Sequence, residues 1–199
     1  MKPIFTLLFL AFFVAHGFAQ KEIGITYSGG TNKGFLLSFE SYTEKKQSVL
    51  IGLGYNYSVK AEGNNPIQFS TEPLKTYEFR FEMRKHFDTQ IYFTKFFLHG
   101  SLFADYANTN QESLGGYDVK GLGGGVGAGG GIKFFVTPKF IVSPSITFRK
   151  AFASYYSSVH DIDVARRGID RLLSINLSYR FGSNAGSVLT PKLEETKKK

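Results

Sequence analysis

Residues 173–181 alternate without a fault: Leu173, Ile175, Leu177, Tyr179 and Phe181 are apolar, and Ser174, Asn176, Ser178 and Arg180 between them are polar. Side chains on a strand point alternately to its two faces, so this period makes the segment a strand with one apolar and one polar face. The apolar face must be covered, either by a protein core or by hydrocarbon.

The amino end bears on that choice. Lys2 precedes an apolar run over residues 4–14, and small residues follow at Gly17 and Ala19. Residues 1–19 therefore read as a cleavable secretory signal with Gln20 as the first mature residue, the apolar run being too short to span a membrane. No later segment approaches the roughly 20 continuous apolar residues of a transmembrane helix, so a mature chain that crosses a membrane must do so as a closed barrel. The chain contains no Cys, which excludes a disulfide framework, a thiolate metal site and a cysteine nucleophile. Its formal charge of +8 is spread along the sequence, the densest cluster being Lys197, Lys198 and Lys199, and so predicts no direct nucleic-acid partner.

The two-residue period recurs upstream. Ile23, Ile25 and Tyr27 oppose Gly24, Thr26 and Ser28. Phe35, Leu37 and Phe39 oppose Ser38 and Glu40, and Val49, Ile51, Leu53, Tyr55 and Tyr57 oppose Gly52, Gly54, Asn56 and Ser58. Tyr77, Phe79, Phe81 and Met83 share a face whose reverse carries Glu78, Arg80, Glu82 and Arg84, alternating in sign. Inside a small barrel such a row must pair across the lumen, and Glu40, Lys95, Lys133, Arg149 and Arg180 occupy matching polar positions. On a soluble barrel the same row would simply face water.

Two further strands predict complementary packing. Phe97, His99, Ser101, Phe103 and Asp105 point opposite to Phe96, Leu98, Leu102, Ala104 and Tyr106. The next strand sets Gly121, Gly123, Gly125, Gly127, Gly129 and Gly131 on the inward parity, leaving room for Phe97 and Phe103. The seventh strand opposes Val142, Ile146 and Phe148 to Ser143, Ser145, Thr147 and Arg149. Within it Pro144 predicts a bulge, and Lys150, on the apolar parity, predicts a position at the rim.

Connections alternate in length: residues 43–46, 88–90 and 137–139 are short, whereas 61–72, 109–118 and 156–170 are long. Outer-membrane barrels have short periplasmic turns and long external loops, and an even strand count returns both ends to the periplasm. Tyr27, Tyr42, Tyr55, Tyr57, Tyr77, Tyr92, Tyr106, Tyr155 and Tyr179 fall near strand ends, as interfacial girdles require. His86 and Phe87 read as an interfacial strand end.

Ser174, Asn176, Tyr179 and Phe181 resemble the carboxy-terminal assembly signal of Gram-negative outer-membrane barrels, in which a polar residue, usually a glycine two on, and two aromatics end the last strand. Asn176 stands where that glycine is usual, and residues 182–199 follow as a tail. The resemblance implies insertion by the barrel-assembly machinery. The mature region is similar to the small eight-stranded OmpA-like and OmpX-like class. More narrowly, Pro73-Leu74-Lys75-Thr76-Tyr77, and Gly127-Ala128-Gly129-Gly130 followed by Pro138-Lys139-Phe140, resemble the conjugative-transfer TraO proteins. That likeness implies a component of a DNA-transfer apparatus with envelope-protein partners and no active site.

Three motifs invite chemistry. Residues 125–130 satisfy G-x-G-x-x-G, but a dinucleotide site needs a helix directly after the turn, and residues 132–136 continue as strand. His99 and Ser101 resemble the pair of outer-membrane lipid A deacylases, with Asp105 or Glu82 as acids, yet their parity is luminal. His160, Asp161 and Asp163 could ligate a hard cation, and Arg166, Arg167 and Arg171 could pair with those acids or with lipopolysaccharide phosphates.

The expectation is an all-β, eight-stranded antiparallel up-and-down transmembrane β-barrel over residues 20–181, with a signal at 1–19 and a flexible periplasmic tail at 182–199. Its lumen charge network comprises Glu40, Glu78, Arg80, Glu82, Arg84, Lys95, Arg149 and Arg180. No cofactor and no metal are expected, and the protein is expected in the outer membrane of a Gram-negative bacterium, in contact with its lipid. A secreted lipocalin-like lipid binder, with the apolar face turned inward, fits the same strand count; a lipid A hydrolase is the third reading.

Overall fold

The computed structural model describes residues 20–30, 33–44, 46–57, 75–91, 93–109, 119–157 and 162–182. The signal segment, the residues after 182 and the connections 58–74 and 110–118 lie outside them. The strands are β1 (Lys21–Gly30), β2 (Lys33–Glu44), β3 (Gln47–Tyr57), β4 (Thr76–Asp88), β5 (Thr94–Thr109), β6 (Val119–Phe135), β7 (Phe140–Ser157) and β8 (Ile162–Phe181). Each pairs antiparallel with its sequence neighbours, and β8 returns to β1, closing the barrel. Closure leaves no free edge along the paired length, so the backbone ladder satisfies its own donors and acceptors.

The period read from sequence sets the two sides of the wall. Ile23, Leu37, Leu53, Met83, Leu98, Leu102, Leu173 and Ile175 are exposed on the outside. Glu78 and Arg80 are 3% and 5% exposed, turned inside with Glu22, Glu40, Glu82, Arg84 and Arg180. The interior is filled by these groups together with Leu36, Leu50, Phe97, Phe103, Phe135, Ile141 and Leu172.

Short turns and both ends of the barrel share one rim. There Lys21 pairs with Phe181, and the β6–β7 turn is tied by Thr137 Oγ1, which accepts from the Phe140 N–H at 2.9 Å. The opposite rim is uneven. β1 meets β8 only as far as Gly30 and Leu172, whereas β7 and β8 remain paired out to Ser157 and Ile162. Residues 156–170, expected as a long loop, are thus mostly the end of a hairpin. Residues 151–157 and 162–170 hold no sustained two-residue period, so the sequence does not mark them as strand, yet the backbone ladder persists.

Pro144 needs no bulge. The β6–β7 ladder lapses between the Gly131–Ser145 and Phe134–Val142 pairs and resumes in the same register, while Pro144 stays opposite Ile175 on the β8 side. A residue lacking an N–H costs the ladder a bond, and here the loss falls on one flank only. A register shift does occur between Tyr42 and Glu44, beside the β2–β3 turn.

Candidate functional site

Inward parity brings charges from six strands into one continuous ladder. Arg180 donates from Nε and Nη2 to Glu22 Oε1 at 3.0 and 2.6 Å. Lys133 Nζ bridges Glu22 Oε2 at 2.7 Å and Glu40 Oε2 at 2.8 Å. Arg84 joins Glu40, at 2.9 Å, to Glu82, at 2.7 Å. Arg80 then links Glu82 at 3.6 Å to Glu78 at 2.6 Å, and Arg149 closes the series on Glu78 at 2.8 Å. Cation and anion alternate throughout, so no carboxylate of the ladder lacks a guanidinium or ammonium. Burying an ion costs several kcal/mol, a penalty that such pairing offsets without much net gain.

Aromatic rings cover the cations. Arg84 lies 4.7 Å from the Phe97 centroid, Arg149 4.4 Å from Phe103 and Arg180 4.8 Å from Phe135. The glycines of β6 make this possible. A Cβ at Gly125 would stand 2.6 Å from Phe103 Cζ, and one at Gly131 would stand 2.6 Å from Phe97 Cζ. β6 runs through this stretch as uninterrupted strand, with no helix start to hold a dinucleotide phosphate.

Of the expected network residues, Glu40, Glu78, Arg80, Glu82, Arg84, Arg149 and Arg180 are in the ladder. Lys95 is not: it lies at the turn rim, 3.6 Å from the exposed Asp88, which also holds Lys46 at 3.2 Å. Its inward parity is correct, but β5 begins at Thr94, so Lys95 stands at the very edge of the wall beside the turn.

Several ladder residues escaped the sequence reading. Glu22 continues the parity of Gly24, Thr26 and Ser28, and that signal alone would have found it. Tyr42, expected in a girdle, turns inward instead: its hydroxyl donates to Glu22 at 2.7 Å and accepts from Lys133 at 2.7 Å. His86, expected at an interface, is buried beyond Arg84, stacked on Tyr42 with centroids 5.3 Å apart. Ser48 must donate to the carboxylate of Glu40, at 2.5 Å, so His86 Nε2, 2.7 Å from Ser48 Oγ, carries the proton and donates. This Ser–His–Glu cluster is therefore wired opposite to a nucleophilic triad. Tyr27, Tyr55, Tyr77, Tyr106 and Tyr179 do face outward, while the side chains of Tyr57, Tyr92 and Tyr155 lie outside the described residues.

The assembly-signal residues divide by face. Tyr179 and Phe181 are outward and exposed, and Ser174 and Asn176 are buried along the β8–β1 seam. Asn176 Nδ2 donates to Thr26 Oγ1 at 2.6 Å and to Ser38 Oγ at 3.0 Å, and Ser174 meets Ser28 at 2.8 Å. Asn176 thus laces three strands at the closure, over the space left by Gly24.

His99 and Ser101 are both buried inside. His99 Nε2 bonds Thr147 Oγ1 at 3.0 Å, and Ser101 Oγ has no hydrogen-bond partner among the described residues. Among the described residues no group of His, Asp and Glu is arranged to hold a metal. The side chains of His160, Asp161, Asp163, Arg166 and Arg167 lie outside those described.

No protein-family model and no curated protein sequence matches the chain. Solved structures do. The N-terminal β-barrel domain of Pseudomonas aeruginosa OprF aligns with a TM-score of 0.53 at 13% identity, over 83% of this chain and 100% of that one. Neisserial surface protein A gives 0.54 at 16% identity, over 82% and 96%. A major outer membrane protein from Thermus thermophilus gives 0.52 at 10%, over 82% and 99%. The shared property is the fold, the closed antiparallel barrel of small outer-membrane proteins.

Proposed function

We propose that the chain is a non-enzymatic integral barrel of a Gram-negative outer membrane, both ends periplasmic, acting through the surfaces at its long-loop end. The observation that supports this is wall parity. Large apolar side chains are exposed on every strand while the charges of the ionic ladder are inside. A soluble monomer rarely exposes contiguous apolar patches beyond a few hundred Å². An apolar band about 25 Å tall, inserted in a bilayer, removes that cost. A lipocalin-like binder needs the reverse arrangement, with the apolar faces enclosing a ligand. A lipid hydrolase needs Ser101 within reach of lipid and of His99; both point into a filled interior.

Insertion by the barrel-assembly machinery is part of the proposal, supported by the resemblance of Ser174, Asn176, Tyr179 and Phe181 to its recognition signal. A place in a conjugative transfer apparatus, among other envelope or transfer-apparatus proteins, rests on the short TraO-like motifs alone. Loss of transfer from donor cells lacking the protein would support that narrower role, and unchanged transfer frequency would remove it. For the broader reading, the test is fractionation with gel mobility. The protein is expected in outer-membrane fractions, migrating faster unheated than boiled. Recovery in the soluble periplasm would overturn it.

A further inference from the structure

The outer wall of β7 and β8 breaks its apolar pattern at matching heights. From the turn rim, Phe140, Val142, Pro144, Ile146 and Phe148 face outward on β7 before Lys150. On β8 Phe181, Tyr179, Leu177, Ile175 and Leu173 do so before Arg171. A strand crosses hydrocarbon in about 9–11 residues, so both cations lie where that crossing ends on the loop side.

They are also neighbours. Phe148 pairs with Arg171 and Lys150 with Ile169, which puts the two cations on one diagonal of the ladder, Cβ atoms on the order of 5–8 Å apart. Both are exposed, and neither has a carboxylate partner among the described residues; Lys150 Nζ sits 5.4 Å from the Phe152 ring centroid. Lys46, by contrast, is already paired with Asp88. Ile169, Leu173, Phe148 and Phe152 surround the pair with apolar surface.

The geometry points to a lipid site: Lys150 and Arg171 together bind the phosphate of an acylated, phosphate-bearing outer-leaflet lipid, whose chains lie on Phe148 and Leu173. Two adjacent cations at the edge of an apolar band match the two parts of such a lipid, a compact anion and chains descending from it. The inference rests on the outer-membrane reading above and adds a ligand class and two residues to it.

The test uses the full-length product purified in detergent from an expressing Gram-negative host and transferred to phosphatidylcholine nanodiscs. The discs are doped with either bisphosphorylated or dephosphorylated lipid A, and lipid retained through detergent re-extraction is quantified by mass spectrometry. Retention of the phosphorylated form is expected to be roughly tenfold greater. Lys150→Gln with Arg171→Gln should abolish the preference, Lys150→Arg should keep it, and Lys85→Gln at the opposite rim should leave it unchanged. Faster unheated migration of each variant confirms folding. Equal retention of the two lipids by the native barrel would overturn the site, as would an equal loss in Lys85→Gln or complete displacement by millimolar inorganic phosphate, which would mark a plain anion site. Failure of the protein to enter the discs would instead overturn the membrane reading itself.

Discussion

Two walls of the lumen are filled by different means. Strands β1, β2 and β4 supply the carboxylates Glu22, Glu40, Glu78 and Glu82, each met by a cation at hydrogen-bond distance. The facing β5–β6 wall contributes Lys133 to that ladder, turns His99, Ser101 and Asp105 inward, and sets the large rings of Phe97 and Phe103 against glycines. On the first wall electrostatic pairing sets what is tolerated; on the second, volume does. A packed interior must satisfy both constraints, since an unpaired buried charge and an overfilled gap are each costly.

The sharpest way to break this comparison is Lys133→Met. Glu22 and Glu40 would then share a buried site without their bridging ammonium, and a loss of about 3–5 kcal/mol is expected in urea unfolding from lipid vesicles. A change below about 1 kcal/mol would mean the interior is hydrated and the ladder loosely held.

On the glycine wall, Gly131→Val should cost about 1–3 kcal/mol, because its Cβ would meet Phe97 Cζ at 2.6 Å and the Pro144 carbonyl oxygen at 2.5 Å. Gly100→Val is the control, since nothing lies within 4 Å of a Cβ there. Equal effects at both positions would indicate a general glycine requirement of the strands and no inward packing constraint.

The seam between the two walls is next. Asn176→Ala removes the bonds to Thr26 and Ser38, and about 1 kcal/mol of stability should go with them. If assembly yield falls in cells while refolded stability does not, Asn176 serves recognition more than closure. The smallest effect is expected at the turn rim, where Asp88→Asn removes exposed pairs with Lys46 and Lys95 and should change unfolding by less than about 0.5 kcal/mol.

Strand parity made the barrel legible because it depends only on neighbouring residues. The alternation of Glu78, Arg80, Glu82 and Arg84 put them on one face, which the membrane reading turned inward, and the glycine run was read as room for Phe97 and Phe103, beside which Gly131 and Gly125 lie. What parity cannot give is height along the axis. Lys95 has inward parity but stands at the turn rim, paired with the exposed Asp88, whereas His86, near a turn, is still deep enough to be buried. Tyr42 was misplaced because an aromatic ring at a strand end fits a girdle as well as a lumen. The pairing of β7 with β8 beyond Lys150 was missed because residues 151–157 and 162–170 mix apolar, small and charged types with no sustained two-residue period.

The central claim is that hydrocarbon wets the outside of this wall. The chain has no native cysteine, so single cysteines at Leu173, Ile175 and Leu177 can each carry a spin label in the bilayer-reconstituted protein. Collisional relaxation by oxygen should be strong and that by a water-soluble nickel chelate weak at all three, with both weak at Ser174 and Asn176 between them. Strong relaxation by the chelate at the three outward positions would contradict the account.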